Sequence, residues 1–224
     1  MYIKELWRYP VKSMAGEKLT GVSLGDLGFA GDRKVLVVGP SGRILTSRRY
    51  HKLLGLHGTL GEDGQPLIDG LPWNSEQALQ LVQETTIPDA QLVAYEGPER
   101  FDILPLLVAT DGAIEAFGHD ARRLRPNIIV GGVEGLAERS WPGKCLRIAE
   151  ALIGIQDLRG RCVMTTYDPD SLEQDPGVLK EIVRKFGGEL ALNCFVMRGG
   201  ELRVGEAVEL AAECERPEAR GATP

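Results

Sequence analysis

The chain has 224 residues and a mass of 24.4 kDa, enough for one large domain or two small ones. Apolar residues at 43% and charged residues at 26% describe a soluble chain with a real core. No apolar run reaches the roughly 18 residues of a membrane span, and the net charge of −6 argues against the broad basic face of a nucleic-acid binder.

The charge is unevenly spread. Residues 1–52 carry ten Lys/Arg against four Asp/Glu, residues 53–118 one against eleven, and residues 119–165 eight against five. Two basic segments in an acidic chain form an anion site if the fold brings them together; the alternative is solvated faces. The N-terminus, MYIKELWRYPVKS, lacks the order of a secretory signal. Cys145, Cys162, Cys194 and Cys214 form no Cys-x-x-Cys pair, so neither a disulfide scaffold nor a structural zinc site is expected. A reduced, cytoplasmic setting is the expectation.

With 28 glycines and 13 prolines the chain turns often, and short apolar runs between turns predict strands. Strands are expected at 2–8, 19–24, 34–38 and 43–46, with a turn at Pro40-Ser-Gly42. A short helix is expected within 48–56, then a turn-rich stretch from Gly61 to Pro72. Asn74 or Ser75 caps a helix running through Glu84. Strands follow at 91–95 and 104–109, a helix at 111–117, and strands at 126–131, 145–149 and 152–157. Pro176 in the first turn and Gly187-Gly188 as a stop delimit a helix over 176–186, with Ile182, Val183 and Phe186 as its apolar stripe. Strands at 191–197, 201–204 and 207–211 close the pattern, with Gly199-Gly200 as a hairpin turn, and the tail reads as disordered. The fold class is α+β and β-rich, with a boundary between 60 and 90.

Several familiar motifs fail. GGVEGLAERSWPGKC has Glu138 where a phosphate loop needs glycine and Cys145 where it needs a hydroxyl. The histidines His51, His57 and His119 lack the spacing of a helical zinc pair.

Four segments survive. Tyr9-Pro-Val-Lys-Ser13 offers a charge and a hydroxyl at a strand end, a pair that suits a phosphate oxygen. Gly31-Asp32-Arg33 precedes a strand, with Asp32 able to fix the turn. Arg122-Arg123-Leu-Arg125-Pro-Asn127 leads into IIVG, so Asn127 needs partners if buried; a heterocycle or neighbouring backbone would serve. Arg159-Gly-Arg161-Cys162-Val-Met-Thr165-Thr166-Tyr-Asp168-Pro-Asp170 sets a cysteine between arginines and threonines. Such a setting favours thiolate, a soft metal ligand.

Together and in this order the four segments resemble the MOSC family, named for the C-terminal domain of molybdenum cofactor sulfurases. They are most similar to the subgroup with an N-terminal β-barrel domain, which includes the mitochondrial amidoxime-reducing component. YPVKS and GDR resemble that N-terminal domain. RPNI, Ser140-Trp141 and RCVMTTYDPD resemble the MOSC core, and FVM with GGELRVGEAVEL its closing strands. The resemblance implies a MOSC-type β-barrel domain over 1–75, packed on a MOSC β-barrel core with a few short helices over 76–212, then a tail at 213–224.

It also implies a molybdenum–molybdopterin cofactor. In that reading Cys162 is the metal thiolate, and Lys12, Ser13 and Arg33 hold the anionic side. Arg125 and Asn127 contact the pterin, Thr110 adds a hydroxyl contact, and Asp168 stands near the metal as a proton relay. Gly160 and Cys194 depart from the relatives, where a serine and a tyrosine are common, and both are expected to alter pocket polarity. The implied activity is reduction of N-hydroxylated small molecules, with electrons from a separate donor protein of ferredoxin, flavoprotein or cytochrome type. The alternatives are a cofactor carrier without turnover, or sulfur transfer through a Cys162 persulfide. The family's pyridoxal phosphate label belongs to a sulfurase domain that this sequence does not show.

Overall fold

Ile3 and Leu6 are both fully buried although three residues apart, a spacing that an unbroken strand cannot direct to one face. A register shift between Ile3 and Glu5, where β1 (Tyr2–Arg8) pairs with a later strand, turns both to the core. The computed structural model describes residues 1–212; the expected tail and Cys214 lie outside the described residues. After β1 come β2 (Glu17–Leu19), β3 (Gly21–Gly25), β4 (Gly28–Phe29) and β5 (Val35–Val38). The turn-rich stretch folds into β6 (Gly58–Leu60), β7 (Pro66–Ile68) and β8 (Leu71–Pro72), followed by α1 (Glu76–Thr85) and β9 (Gln91–Ala94). The remainder forms β10 (Leu106–Thr110), α2 (Asp111–Phe117), β11 (Ile128–Gly131), β12 (Cys145–Ile148) and β13 (Ala151–Gly160). It ends with α3 (Pro176–Phe186), β14 (Glu189–Arg198), β15 (Gly200–Arg203) and β16 (Glu209–Ala211).

The architecture is β-rich α+β. Eight strands form one sheet in the order β16-β12-β13-β14-β10-β11-β1-β2. Only the β10–β11 pair is parallel in that sheet, and α2 supplies its crossover. The expected barrels are open sheets: β16 and β2 end this one without meeting, and smaller sheets β15-β3-β4, β5-β9 and β6-β7-β8 pack around it. The edge strands β2 and β16 are three residues each, short enough to limit the unpaired edge.

Two larger cores and a smaller one, which gathers Phe117, Leu124, Ile182 and Phe186 around α2 and α3, divide the work. Of the larger two, one gathers Ile3, Leu6, Val108, Ile128, Ile153 and Leu192 under the large sheet. The other gathers Val11, Met14, Val35, Leu53, Val82 and Ala90. Because α1 and β9 pack in this second core, residues 76–94 share a core with the N-terminal segment rather than with the sheet that follows.

Local signals behave as chemistry requires. Ser75 caps α1, its Oγ accepting from Ala78 N at 3.2 Å. Pro176 opens α3 and Gly187 ends it at φ 68°. The buried stripe of α3 is Val178, Ile182 and Phe186; Val183, expected in it, is 57% exposed. Gly199-Gly200 is not a hairpin turn, because β15 leaves β14 to pair with β3. The strand expected at 43–46 reduces to a single bridge between Val38 and Ile44. Among the described residues no helix is long and apolar enough to cross a membrane.

Candidate functional site

Asp32 joins the first two candidate segments. Fully buried, it accepts from Tyr9 N at 2.7 Å through Oδ1, and its Oδ2 receives the Arg33 guanidinium and, at 3.4 Å, Asn127 Nδ2. Backbone bonds from Arg33 N to Tyr9 O and from Lys12 N to Val35 O complete the join. Arg33 is thereby aimed between the rings of Tyr9 and Phe101, 5.2 and 5.8 Å from their centres.

Arg33 opens onto a cavity of about 140 Å³. Arg33 and Arg48 enter its walls from the N-terminal segment, and Lys12 and Ser13 line a small pocket beside it that shares Arg33, Arg48, Asp102, Arg125 and Met164 with it. Arg123, Arg125 and Asn127 enter from the approach to β11, and Arg159, Gly160, Arg161 and Cys162 from the end of β13. The two basic segments of the sequence do meet. β13 reaches the cavity through three register shifts against β14, the last between Leu158 and Gly160, which re-aim its final side chains.

Seven cations thus face the cavity and the small pocket beside it, and among the described lining residues of the two Asp102 is the one carboxylate. Asp102 lies 2.7 Å from Lys12 Nζ, 3.7 Å from Arg159 and 3.8 Å from Arg48. Burial pulls the Lys12 ammonium below its usual value in spite of that partner. Burial likewise lowers Arg125 and Arg159, and it pushes Arg161 down to about 10, with Arg159 adding like-charge repulsion. Arg161 donates to Leu124 O at 2.8 Å, yet its buried Nε has no partner. Crowded cations with an orphaned donor are completed by an anion.

The backbone carries strain at the same place. Ser13, Arg33 and Arg125 have φ of 73°, 51° and 56°, a region that costs residues with a Cβ about 1–3 kcal/mol each. Such conformations persist where the surroundings fix them, and three of them fall at the cavity and the small pocket beside it.

Cys162 carries a free, half-buried thiol directly after Arg159-Gly-Arg161, at the head of the 3₁₀ turn Val163–Thr166. Its carbonyl accepts from Thr165 N and Oγ1, so the threonines shape the turn. Among the described residues no cluster of three or more His, Cys, Asp or Glu is placed to cage a metal.

Three expected contacts are reassigned. Thr110 does not line the cavity: fully buried at the far end of β10, it caps α2 through Ala113 N and donates to Glu138 Oε2. Asn127 lines the cavity, but its amide is spent on protein. Oδ1 accepts from Leu107 N, and Nδ2 donates to Trp7 O and Asp32. Asp168 organises its own turn, accepting from Asp170 N, Ser171 N and Ser171 Oγ, and pairs with Arg123 at 2.9 Å. Those backbone bonds lower its pKa, so it stays a carboxylate and is a poor proton donor at neutral pH. Cys194, expected to alter the pocket, is core; its pairing with Leu106 and Ile155 keeps it fully buried, which drives its thiol pKa far up.

Arg48, Asp102, Arg159 and Arg161 were not singled out as site residues by the sequence reading. The arginines beside Cys162 were visible as its neighbours; Arg48 and Asp102 stand in segments with no motif.

Among solved structures, the YuaD protein from Bacillus subtilis matches at TM-score 0.52 and 13% identity, over 93% of this chain and 94% of that one, a likeness of fold. The YiiM protein from Escherichia coli matches at TM-score 0.40 and 16% identity, over 92% and 71%. A search of curated proteins finds no match. The family model for the MOSC N-terminal beta barrel domain matches residues 1–94, and that for the MOSC domain matches residues 108–209. The chain therefore belongs to the MOSC family, with the family's N-terminal domain ahead of its MOSC domain.

Proposed function

We propose that the chain binds a molybdenum–molybdopterin cofactor in the cationic cavity and reduces N-hydroxylated small molecules with it. The observation that carries this reading is the partnerless Arg161 Nε beside a free thiol, within a wall of seven cations and one carboxylate. The donor set fits the group: a phosphate-bearing ligand matches the excess of guanidinium and ammonium donors, and one thiolate suits a metal whose other ligands come with the cofactor.

Lys12, Ser13, Arg33 and Arg125 hold the anionic part, assisted by Arg48, Arg159 and Arg161. Cys162 supplies the protein's thiolate to the metal. When bound, the cofactor supplies two-electron transfer. Asn127 and Asp32 position Arg33 and the strand ends without touching the ligand, and Thr110 serves α2. Asp168 holds Arg123 and the 168–171 turn in place rather than delivering a proton. A separate donor protein of ferredoxin, flavoprotein or cytochrome type delivers electrons, and the cytoplasm is the site of action.

Steady-state reduction of benzamidoxime with a chemical electron donor tests the activity. Turnover by the cofactor-loaded protein and none by the cofactor-free protein is the expected result; equal rates would sink it. A carrier without turnover is favoured by one observation, that the Asp168 carboxylate is bonded to its own turn and to Arg123. Full cofactor occupancy with no turnover would select it.

A further inference from the structure

Beside the cationic cavity lies a second hollow of about 200 Å³ with a different character. Arg123, Arg125 and Met164 line both spaces, so the two are adjoining lobes. The walls of the second lobe are Trp7, Tyr9, Leu54, Met164, Tyr167 and Pro169. Tyr167 is held by stacking on His51, with centroids 4.9 Å apart and planes 3° from parallel. Tyr9 donates its hydroxyl to Pro126 O and lies against Gly16, where an added Cβ would stand 2.5 Å from the ring. Met164 is contacted by the buried Ser47 hydroxyl at 3.4 Å. These walls are fixed, not improvised by loose side chains.

Apart from Arg125, the arginines at this lobe are paired with carboxylates. Arg122 makes paired bonds of 2.7–2.8 Å to Asp170 and bonds Asp120 as well. Arg123 is paired with Asp168, and His57 at the rim stands 3.6 Å from Asp69. Arg125, at the junction, lies over the Tyr9 ring, 4.4 Å from its centre. The first lobe has unspent positive charge, whereas the second, away from the Arg125 junction, offers aromatic and apolar surface with paired charges. A charged body would have to be desolvated there without a partner, which is unfavourable; a flat, uncharged one is not penalised and gains ring contacts.

We infer that this second lobe holds the uncharged aryl body of the substrate, leaving its N–OH end at the Met164 edge that the lobe shares with the cavity lined by Cys162. This rests on the proposed function for the N–OH group, but not for the lobe's choice of body.

The test measures binding of benzamidoxime to the cofactor-loaded protein by calorimetry, with N-hydroxyurea as the ring-less comparator. N-hydroxyurea is expected to bind at least roughly tenfold more weakly. Leu54→Trp fills the lobe, and should weaken benzamidoxime binding about tenfold or more while leaving molybdenum content and inorganic phosphate binding unchanged. Should that variant fail to fold, Leu54→Lys brings a charge to the same wall and should act in the same direction.

Unchanged benzamidoxime affinity in a folded Leu54 variant would overturn the inference, as would equal affinity for N-hydroxyurea. Loss of molybdenum from Leu54→Trp would also overturn it, by giving the lobe to the cofactor. If the wild type holds no molybdenum yet binds benzamidoxime in a Leu54-dependent way, the lobe stands and the redox reading falls.

Discussion

Removing the Asp32 carboxylate should unfasten both the fold and the site. Asp32 is 0% exposed and holds three groups at once: Tyr9 N–H, the Asn127 amide and the Arg33 guanidinium. Asp32→Ala leaves a buried amide hydrogen without an acceptor and a mostly buried guanidinium without its carboxylate. Breaking a buried charge pair by removing one partner costs about 3–5 kcal/mol. At about 2–4 °C per kcal/mol for a chain of this size, thermal unfolding should fall by roughly 6–20 °C. Asp32→Asn keeps an acceptor for Tyr9 N–H but turns an amide donor toward donors, so its loss should be smaller, about 1–3 kcal/mol. Circular dichroism at pH 7 reads both variants. A drop below about 2 °C for Asp32→Ala, or a larger loss for Asn than for Ala, would refute the view that Asp32 is the joint of the site.

Thr110→Ala should cost about 1–2 kcal/mol in urea unfolding through loss of the α2 cap, with molybdenum content unchanged; a fall in content would return Thr110 to the cofactor. Inorganic phosphate at a hundredfold excess over its dissociation constant should stabilise the cofactor-free protein by about 2.7 kcal/mol. Arg161→Ala should lose most of that phosphate-dependent rise in Tm, and an undiminished rise would contradict the role given to its free Nε. Asp168 has a folded pKa below its unfolded value, so its contribution is present above the ordinary carboxylate range and is lost as pH falls through the folded value. The Tm gap between wild type and Asp168→Asn should accordingly be widest above about pH 4 and close toward pH 2; a gap that widens on acidification would reverse the assignment.

Much of the fold was legible because its signals are local. Pro176 and Gly187 bracket α3, and Ser75 caps α1, each through a bond made within a few residues. Gly199-Gly200 misled because a glycine pair marks a turn without saying which strand comes next to it; β3, far back in the chain, takes β15. Val183 misled because helix burial depends on what packs against the helix, not on apolarity alone.

The site divides in the same way. The motifs carrying Lys12, Ser13, Arg33, Arg125 and Cys162 converge on two adjoining cavities, one of the two outcomes the charge pattern left open. The positive φ of Ser13, Arg33 and Arg125 is invisible in residue type, since arginine gives no warning of it. Thr110 and Asn127 are polar for structural reasons that only their hydrogen bonds disclose. Asp102 was hidden in the acidic stretch, where nothing separates a carboxylate that balances a cavity from one facing water.

Molybdenum per chain, measured by inductively coupled plasma mass spectrometry on protein from a cofactor-producing host, tests the central claim most directly. The wild type should approach one metal per chain, and Cys162→Ala should lose most of it while unfolding at nearly the wild-type temperature. A wild type empty of both metal and pterin, or a Cys162→Ala protein that retains its full complement, would contradict the account.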